Sequence, residues 1–160
     1  MKYLFAPWRT KYINAVKDKK GCFICEAVKS VDDEANLVLY RGEHTIVIMN
    51  RYPYSSGHIM VCPKRHLKFP YELTPDEQKE LMETLGKMVK VLEEVYHPGG
   101  LNIGANIGKA AGAGEEHLHF HIVPRWVGDT NFMSVTGETR VIPDTLDNTY
   151  YKIREAIGKI

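Results

Sequence analysis

Three histidines, His117, His119 and His121, alternate with Leu118, Phe120 and Ile122 ahead of Val123. Alternation over seven residues is the period of a β-strand, so the predicted strand puts the imidazoles on one face and the apolar side chains on the other. Imidazoles side by side repel one another when protonated and make poor core material. The pattern therefore calls for metal ligation, phosphate binding or nucleophilic catalysis. Cys22-Phe23-Ile24-Cys25 is a second group with chemical potential. By itself it reads equally as a redox pair, half of a zinc site or two small buried residues, because two ligands do not close a tetrahedron. A third is Gly108-Lys109-Ala110-Ala111-Gly112-Ala113-Gly114. It lacks the serine or threonine and the spacing of a P-loop, but its small residues let backbone amides approach a phosphate.

The elements that must position these groups are legible in the hydrophobic pattern. Runs rich in β-formers at Leu37 to Tyr40 and His44 to Met49 flank Arg41-Gly42-Glu43, which reads as a hairpin connection. A loop over 50–57 leads to a third strand, His58 to Cys62, which stops at Pro63. Thr74-Pro75-Asp76-Glu77 has the form of an N-cap, a proline at the first helical position and a capping-box glutamate. Leu81, Leu85, Met88, Val89, Leu92 and Tyr96 then form one helical stripe that ends at His97-Pro98-Gly99-Gly100. Leu101 to Asn106 is extended, the histidine strand follows, and Leu146, Tyr150, Ile153 and Ile157 mark a short final helix. About five strands, mostly hairpin-linked, with one long helix give an α+β domain built on an antiparallel sheet.

Composition narrows the function classes. The 160 residues are 44% hydrophobic and 26% charged, enough for one well-packed core, and residues 1–160 read as a single domain. A formal charge of +1, with acids and bases interspersed, offers no basic stripe for nucleic acid. No apolar run reaches membrane-spanning length, the opening Met1-Lys2-Tyr3 is not a secretory leader, and three cysteines do not make a disulfide framework. The expected location is cytoplasmic, with neither membrane nor nucleic-acid partners. The aromatics Tyr3, Phe5, Trp8 and Tyr12, followed by the run Lys17 to Lys20, read as an arm packed on the domain or on a second subunit. Cys62 reads as a buried thiol and His44 as a strand or turn residue.

The His117-x-His119-x-His121 motif with its apolar flank resembles the signature of the histidine triad (HIT) superfamily of nucleotide hydrolases and transferases. The resemblance extends to Gly57-His58-Ile59-Met60-Val61, to Asn50 eight positions before His58, to Asn106 eleven before His117, and to Gly108. The stretch from Glu116 to Met133, together with Pro7-Trp8-Arg9, is similar to the bacterial branch that includes diadenosine tetraphosphate phosphorylases. The resemblance implies a HIT fold, a homodimer and a nucleotide substrate. It implies that His119 is the nucleophile that takes up an adenylyl group, with its other nitrogen held by the carbonyl of His117. His121 would contact the phosphate oxygens, and His58 the triad and the nucleotide site. Asn50 would meet the ribose hydroxyls, and Asn106 and Gly108 the phosphate. Ala113 departs from the pattern, because many members carry serine or glutamine there. Relatives also imply a structural zinc, held here by Cys22, Cys25, His66 and His117. The activity implied first is phosphorolysis of diadenosine tetraphosphate to ADP and ATP. Behind it stand hydrolysis of such dinucleotides or of nucleoside phosphoramidates, and a zinc-stabilised nucleotide-binding adaptor without turnover. A catalytic metal on the three imidazoles is a further option, against which the asparagine spacings argue.

Overall fold

A computed structural model describes residues 21–129 and 144–159. The aromatic arm, the lysine run and the end of the stretch reaching Met133 lie outside the described residues. In chain order the elements are α1 (Phe23–Lys29), β1 (Val38–Arg41), β2 (Thr45–Met49), β3 (Ile59–Pro63), α2 (Pro75–Tyr96), β4 (Gly100–Gly104), β5 (Phe120–Arg125) and α3 (Leu146–Ile157). The strands form one sheet in the order β1-β2-β3-β5-β4, every neighbouring pair antiparallel. The expected α+β architecture is what the chain adopts.

Strands β2 and β3 are buried along their whole length, so both faces of the sheet are covered there. Val47, Met49, Ile59, Val61 and Ile122 pack with Leu81, Leu85, Met88 and Leu92 of α2. On the opposite face, Ile46, Ile48, Met60 and Cys62 pack with Ile24 and Ala27 of α1. The N-terminus of α2 is fixed by the expected capping box: Glu77 N–H donates to Thr74 Oγ1 at 3.3 Å and Thr74 N–H to Glu77 Oε2 at 2.8 Å. Arg65 adds two bonds to the Glu77 carboxylate, and these chiefly hold its pKa down to about 2. Along α2 it is Val91, rather than Val89, that is fully buried, Val89 standing at the margin of the stripe.

Two features depart from the expected elements. Helix α1 went unanticipated, because seven residues with only Ile24 and Ala27 buried are too few to show a helical period. The histidine strand joins the ladder only at Phe120, not His117. Ahead of it, His117 Nε2 bonds Pro63 O at 2.8 Å and Leu118 N–H donates to Leu67 O at 2.7 Å, which draws the backbone off the ladder. The alternation itself persists: Leu118, Phe120 and Ile122 belong to the α2 side, and the imidazoles to the face that α1 covers only in part.

The edges of the sheet are treated differently. The outer edge of β1 is covered by α3, where Tyr150 Oη and Arg154 Nη1 donate to Val38 O at 3.1 and 2.8 Å. At β4 no described residue covers the outer edge, and Ile103 is half exposed. No helix among the described residues is long and apolar enough to cross a membrane.

Candidate active site

Hydrogen bonds fix the proton on each ring of the histidine face, those of His58 and His119 through backbone groups and that of His121 through His58. Gly57, with φ of +78°, turns the 50–57 loop into β3, and a Cβ there would meet the Tyr96 ring at 2.8 Å. This turn delivers His58 under Tyr54, whose N–H donates to His58 Nδ1 at 3.1 Å. Nδ1 is therefore an acceptor, and the proton of neutral His58 sits on Nε2. From there it is donated to His121 Nδ1 at 2.9 Å, which leaves the His121 proton on Nε2. His119 is set independently: its Nδ1 donates to the carbonyl of His117 at 2.7 Å, so its Nε2 carries the free lone pair. Burial, followed by the neighbouring imidazoles, pushes His58 down to about 3 and His121 to about 4. Both rings are neutral at neutral pH.

Beside His121 lies a cleft of about 280 Å³, lined by Tyr54, Asn102, Gly104, Asn106 and Arg125 among others. Asn106 lines the same cleft as His121. Asn50 lies at its back: its Oδ1 accepts from Tyr52 N–H at 2.8 Å, and its Nδ2 is 3.4 Å from His58 Nε2. Both of those nitrogens bear protons in the tautomer derived above, so the contact is packing rather than a hydrogen bond. Gly108, φ +83°, opens the turn at Lys109–Ala111 and accepts from the N–H groups of Ala111 and Ala113. Tyr54, Asn102 and Arg125 went unanticipated. The pairing of Arg125 with Asp129, Nε to Oδ2 at 2.6 Å and Nη2 to Oδ1 at 2.9 Å, had a signal in their i, i+4 spacing.

Cys22, Cys25, His66 and His117 converge, their ligand atoms all within 4.8 Å of one another. Cys22 Sγ and Cys25 Sγ lie 3.4 and 3.5 Å from His117 Nδ1, and Cys25 Sγ lies 3.3 Å from His66 Nδ1. Zinc-ligand bonds of about 2.3 Å to sulfur and 2.0–2.1 Å to nitrogen give a tetrahedron with S···N edges of about 3.5 Å. The donor set fits zinc in type, number and spacing. His117 Nε2 donates to Pro63 O, which leaves Nδ1 as the lone pair turned toward the thiols. Burial pushes the Cys22 thiol up to about 12, so a metal entering here displaces a proton. A second group, Glu43, His44 and Glu80, is otherwise engaged. The Glu80 carboxylate accepts from the N–H groups of His44 and Thr45 and from Thr45 Oγ1, clamping the β1–β2 hairpin. The triad imidazoles do not form a metal-binding group among the described residues.

A sequence profile of the HIT domain matches residues 32–127, more than half of the chain and the stretch that carries the triad. The chain belongs to the HIT family. Within it, the protein is 42% identical over 123 residues to a Mycobacterium tuberculosis protein named AP-4-A phosphorylase, a match covering 76% of this chain and 63% of that one. It is 35% identical over 92 residues to the asymmetrical bis(5'-nucleosyl)-tetraphosphatase of Schizosaccharomyces pombe, over 58% of this chain and 50% of that relative. Among solved structures it is similar to a zinc-bound histidine triad family protein from Mycobacterium smegmatis, with a TM-score of 0.68, 26% identity and coverage of 87% of this chain and 94% of that one.

The neutral imidazoles carry a pH signature. An unfolded histidine titrates near its ordinary value of 6.5, whereas His58 stays unprotonated down to about 3, so below pH 6.5 the unfolded chain binds the extra proton. Lowering the pH through that window should destabilise the fold, by up to about 2 kcal/mol from this one group between pH 7 and 5. Denaturant titrations at both pH values should show the wild type losing more than His58→Gln. Equal losses would remove the buried neutral imidazole as the cause.

Proposed function

We propose that the protein cleaves diadenosine polyphosphates by transferring an adenylyl group to His119 and then to inorganic phosphate, so that diadenosine tetraphosphate yields ATP and ADP. The observation that carries this reading is the fixed, free Nε2 of His119 beside the Nε2–H of His121. The lone pair of His119 attacks the α-phosphorus, and the bond from that phosphorus to its bridging oxygen breaks, releasing ATP. The ring, protonated on Nδ1 and phosphorylated on Nε2, is an imidazolium stabilised by the His117 carbonyl. His121 donates to an oxygen of the α-phosphate as charge develops there. Inorganic phosphate then attacks, the P–N bond returns its electron pair to Nε2, and ADP leaves.

A departing polyphosphate has a phosphate pKa of about 6 and leaves without a proton. An amine does not, and neutral His121 holds no proton to spare. This supports polyphosphates over phosphoramidates, and it makes Ala113 tolerable at its position. Asn50, Asn106 and Gly108 are assigned to the nucleotide, and His58 holds His121 in its donating tautomer. Zinc, when bound by Cys22, Cys25, His66 and His117, supplies a structural cross-link between α1 and His117, two residues before the nucleophile. Water as the acceptor, giving AMP, is the second reading, favoured by the likeness to the asymmetrical tetraphosphatase. Turnover of diadenosine tetraphosphate with and without inorganic phosphate tests the first reading. Without phosphate, release should stop at about one ATP per chain with no ADP, whereas repeated turnover to ADP and ATP should need phosphate, and AMP in both conditions would transfer the assignment to a hydrolase.

The reading includes one domain per chain, a cytoplasmic location and a homodimer. The uncovered edge of β4, with Ile103 and Ile107 exposed beside it, is a surface that a two-fold partner would pair and bury. Light scattering at micromolar concentration should give twice the 18.3 kDa chain mass, and a monomeric mass would count against the dimer.

A further inference from the structure

The cleft beside His121 has a direction. In the β4–β5 register, Gly104 stands opposite His121, Asn102 opposite Val123 and Gly100 opposite Arg125. His121, Val123 and Arg125 share one face, so the cleft runs from the catalytic ring outward along the strand, with Asn102 one two-residue step, about 7 Å, beyond it. At its inner end Gly104 leaves open space where a side chain would stand. Farther out, Arg125 is locked on the Asp129 carboxylate and gives Nη1–H to Asn102 Oδ1 at 3.0 Å. With its oxygen occupied, Asn102 presents only its Nδ2 donors. The carboxamide of Asn106, on the same cleft, meets no protein partner among the described residues. Two amides and the His121 Nε2–H therefore offer donors to an anion, while the local positive charge is spent on Asp129.

We propose that this cleft is the acceptor subsite, in which Asn102 and Asn106 hold inorganic phosphate next to the adenylyl group on His119, and that Asn102 governs the choice of phosphate over water. The inference rests on the adenylyl-transfer reading above. The incoming phosphate oxygen forms a bond to the α-phosphorus, the P–N bond breaks toward His119 Nε2, and the acceptor's proton goes to solvent. The same site must hold the first phosphate of the departing polyphosphate, because acceptor and leaving group occupy the same side of the phosphorus in the two half-reactions. Arg125 is a positioning residue: it touches Asn102, not the phosphate.

The test is discharge of preformed adenylyl-enzyme over a range of phosphate concentrations, reading the ratio of ADP to AMP. Asn102→Ala should lower that ratio about tenfold or more at limiting phosphate, the usual effect of losing a hydrogen bond to a charged group. Asn102→Asp keeps the shape and the acceptor for Arg125 but faces phosphate with a carboxylate, and should lower it further. Arg125→Lys cannot hold Asp129 and Asn102 together. It should raise the KM for phosphate while leaving the limiting rate of ADP formation within about twofold, a split that a merely destabilised fold would not give. Should Asn102→Ala fail to fold, the aspartate and lysine variants decide alone. Ratios within twofold of wild type in the folded variants overturn the subsite and leave the adenylyl-transfer reading standing. A wild type that forms no adenylyl-enzyme, or discharges it only to AMP, overturns the phosphorolysis reading itself.

Discussion

Replacing His119 with asparagine should abolish turnover, by at least about a thousandfold, because it deletes the one atom that forms the covalent bond. The proposed nucleophile is a lone pair on Nε2 whose availability follows from the 2.7 Å bond between Nδ1 and the His117 carbonyl. An asparagine side chain of similar polarity can still donate toward that carbonyl, but its amide nitrogen has no free pair to offer phosphorus. Nucleotide affinity should therefore stay within about tenfold, or about 1.4 kcal/mol. His121→Asn exchanges the placed Nε2–H for a shorter amide donor and leaves the attacking atom intact, so it should slow turnover less completely. Intact-mass analysis after quenching without acid should show one added adenylate per chain in the wild type and none in His119→Asn. Near wild-type turnover in that variant would sink the mechanism. Absence of both turnover and adduct in the wild type would make the nucleotide-binding adaptor the better description.

The sequence displayed what is repeated or local, and hid what depends on distant backbone. The β-branched runs of β2 and β3, the capping box of Thr74 and Glu77 and the alternation around Phe120 each encode structure within a few residues, so the sheet and α2 were legible. Helix α1 was not, since its two buried residues carry no period. The candidate metal cluster shows the same division. Its four residues could be named only through the family resemblance, whereas their convergence depends on His117 leaving the β-ladder to bond Pro63 O, 54 residues away. Nor could any pattern reveal that the Tyr54 amide settles the tautomer of His58 and, through it, that of His121. The cleft wall was hidden for a related reason. Asn102 and Arg125 are 23 residues apart, and only the β4–β5 register brings them within hydrogen-bond distance.

The second large effect is expected at the cysteines. Protein prepared from cells should carry about one zinc per chain, and Cys25→Ala should lower stability by about 4 kcal/mol or more, the range in which loss of a metal site falls. Cys25 lies 3.3 Å from His66 and 3.5 Å from His117, so its removal opens the tetrahedron between the loop after β3 and the approach to β5. Helix α1 keeps other anchors: Arg41 donates to the carbonyls of Ala27, Val28 and Ser30 and pairs with Asp33. The chain should accordingly still fold at low temperature, with α1 attached but unbraced at its N-terminal end. Because the metal would touch His117 and not the substrate, the adenylyl-transfer step in the folded variant should slow by less than about tenfold, through looser placement of the carbonyl that orients His119. Calorimetry of wild type and variant, each with and without a chelator, separates the two effects. Chelation should lower the wild-type Tm toward that of Cys25→Ala and leave the variant unmoved. Metal analysis that finds no zinc, with a wild-type Tm indifferent to chelation, would reduce the four residues to a cluster of packed thiols and imidazoles.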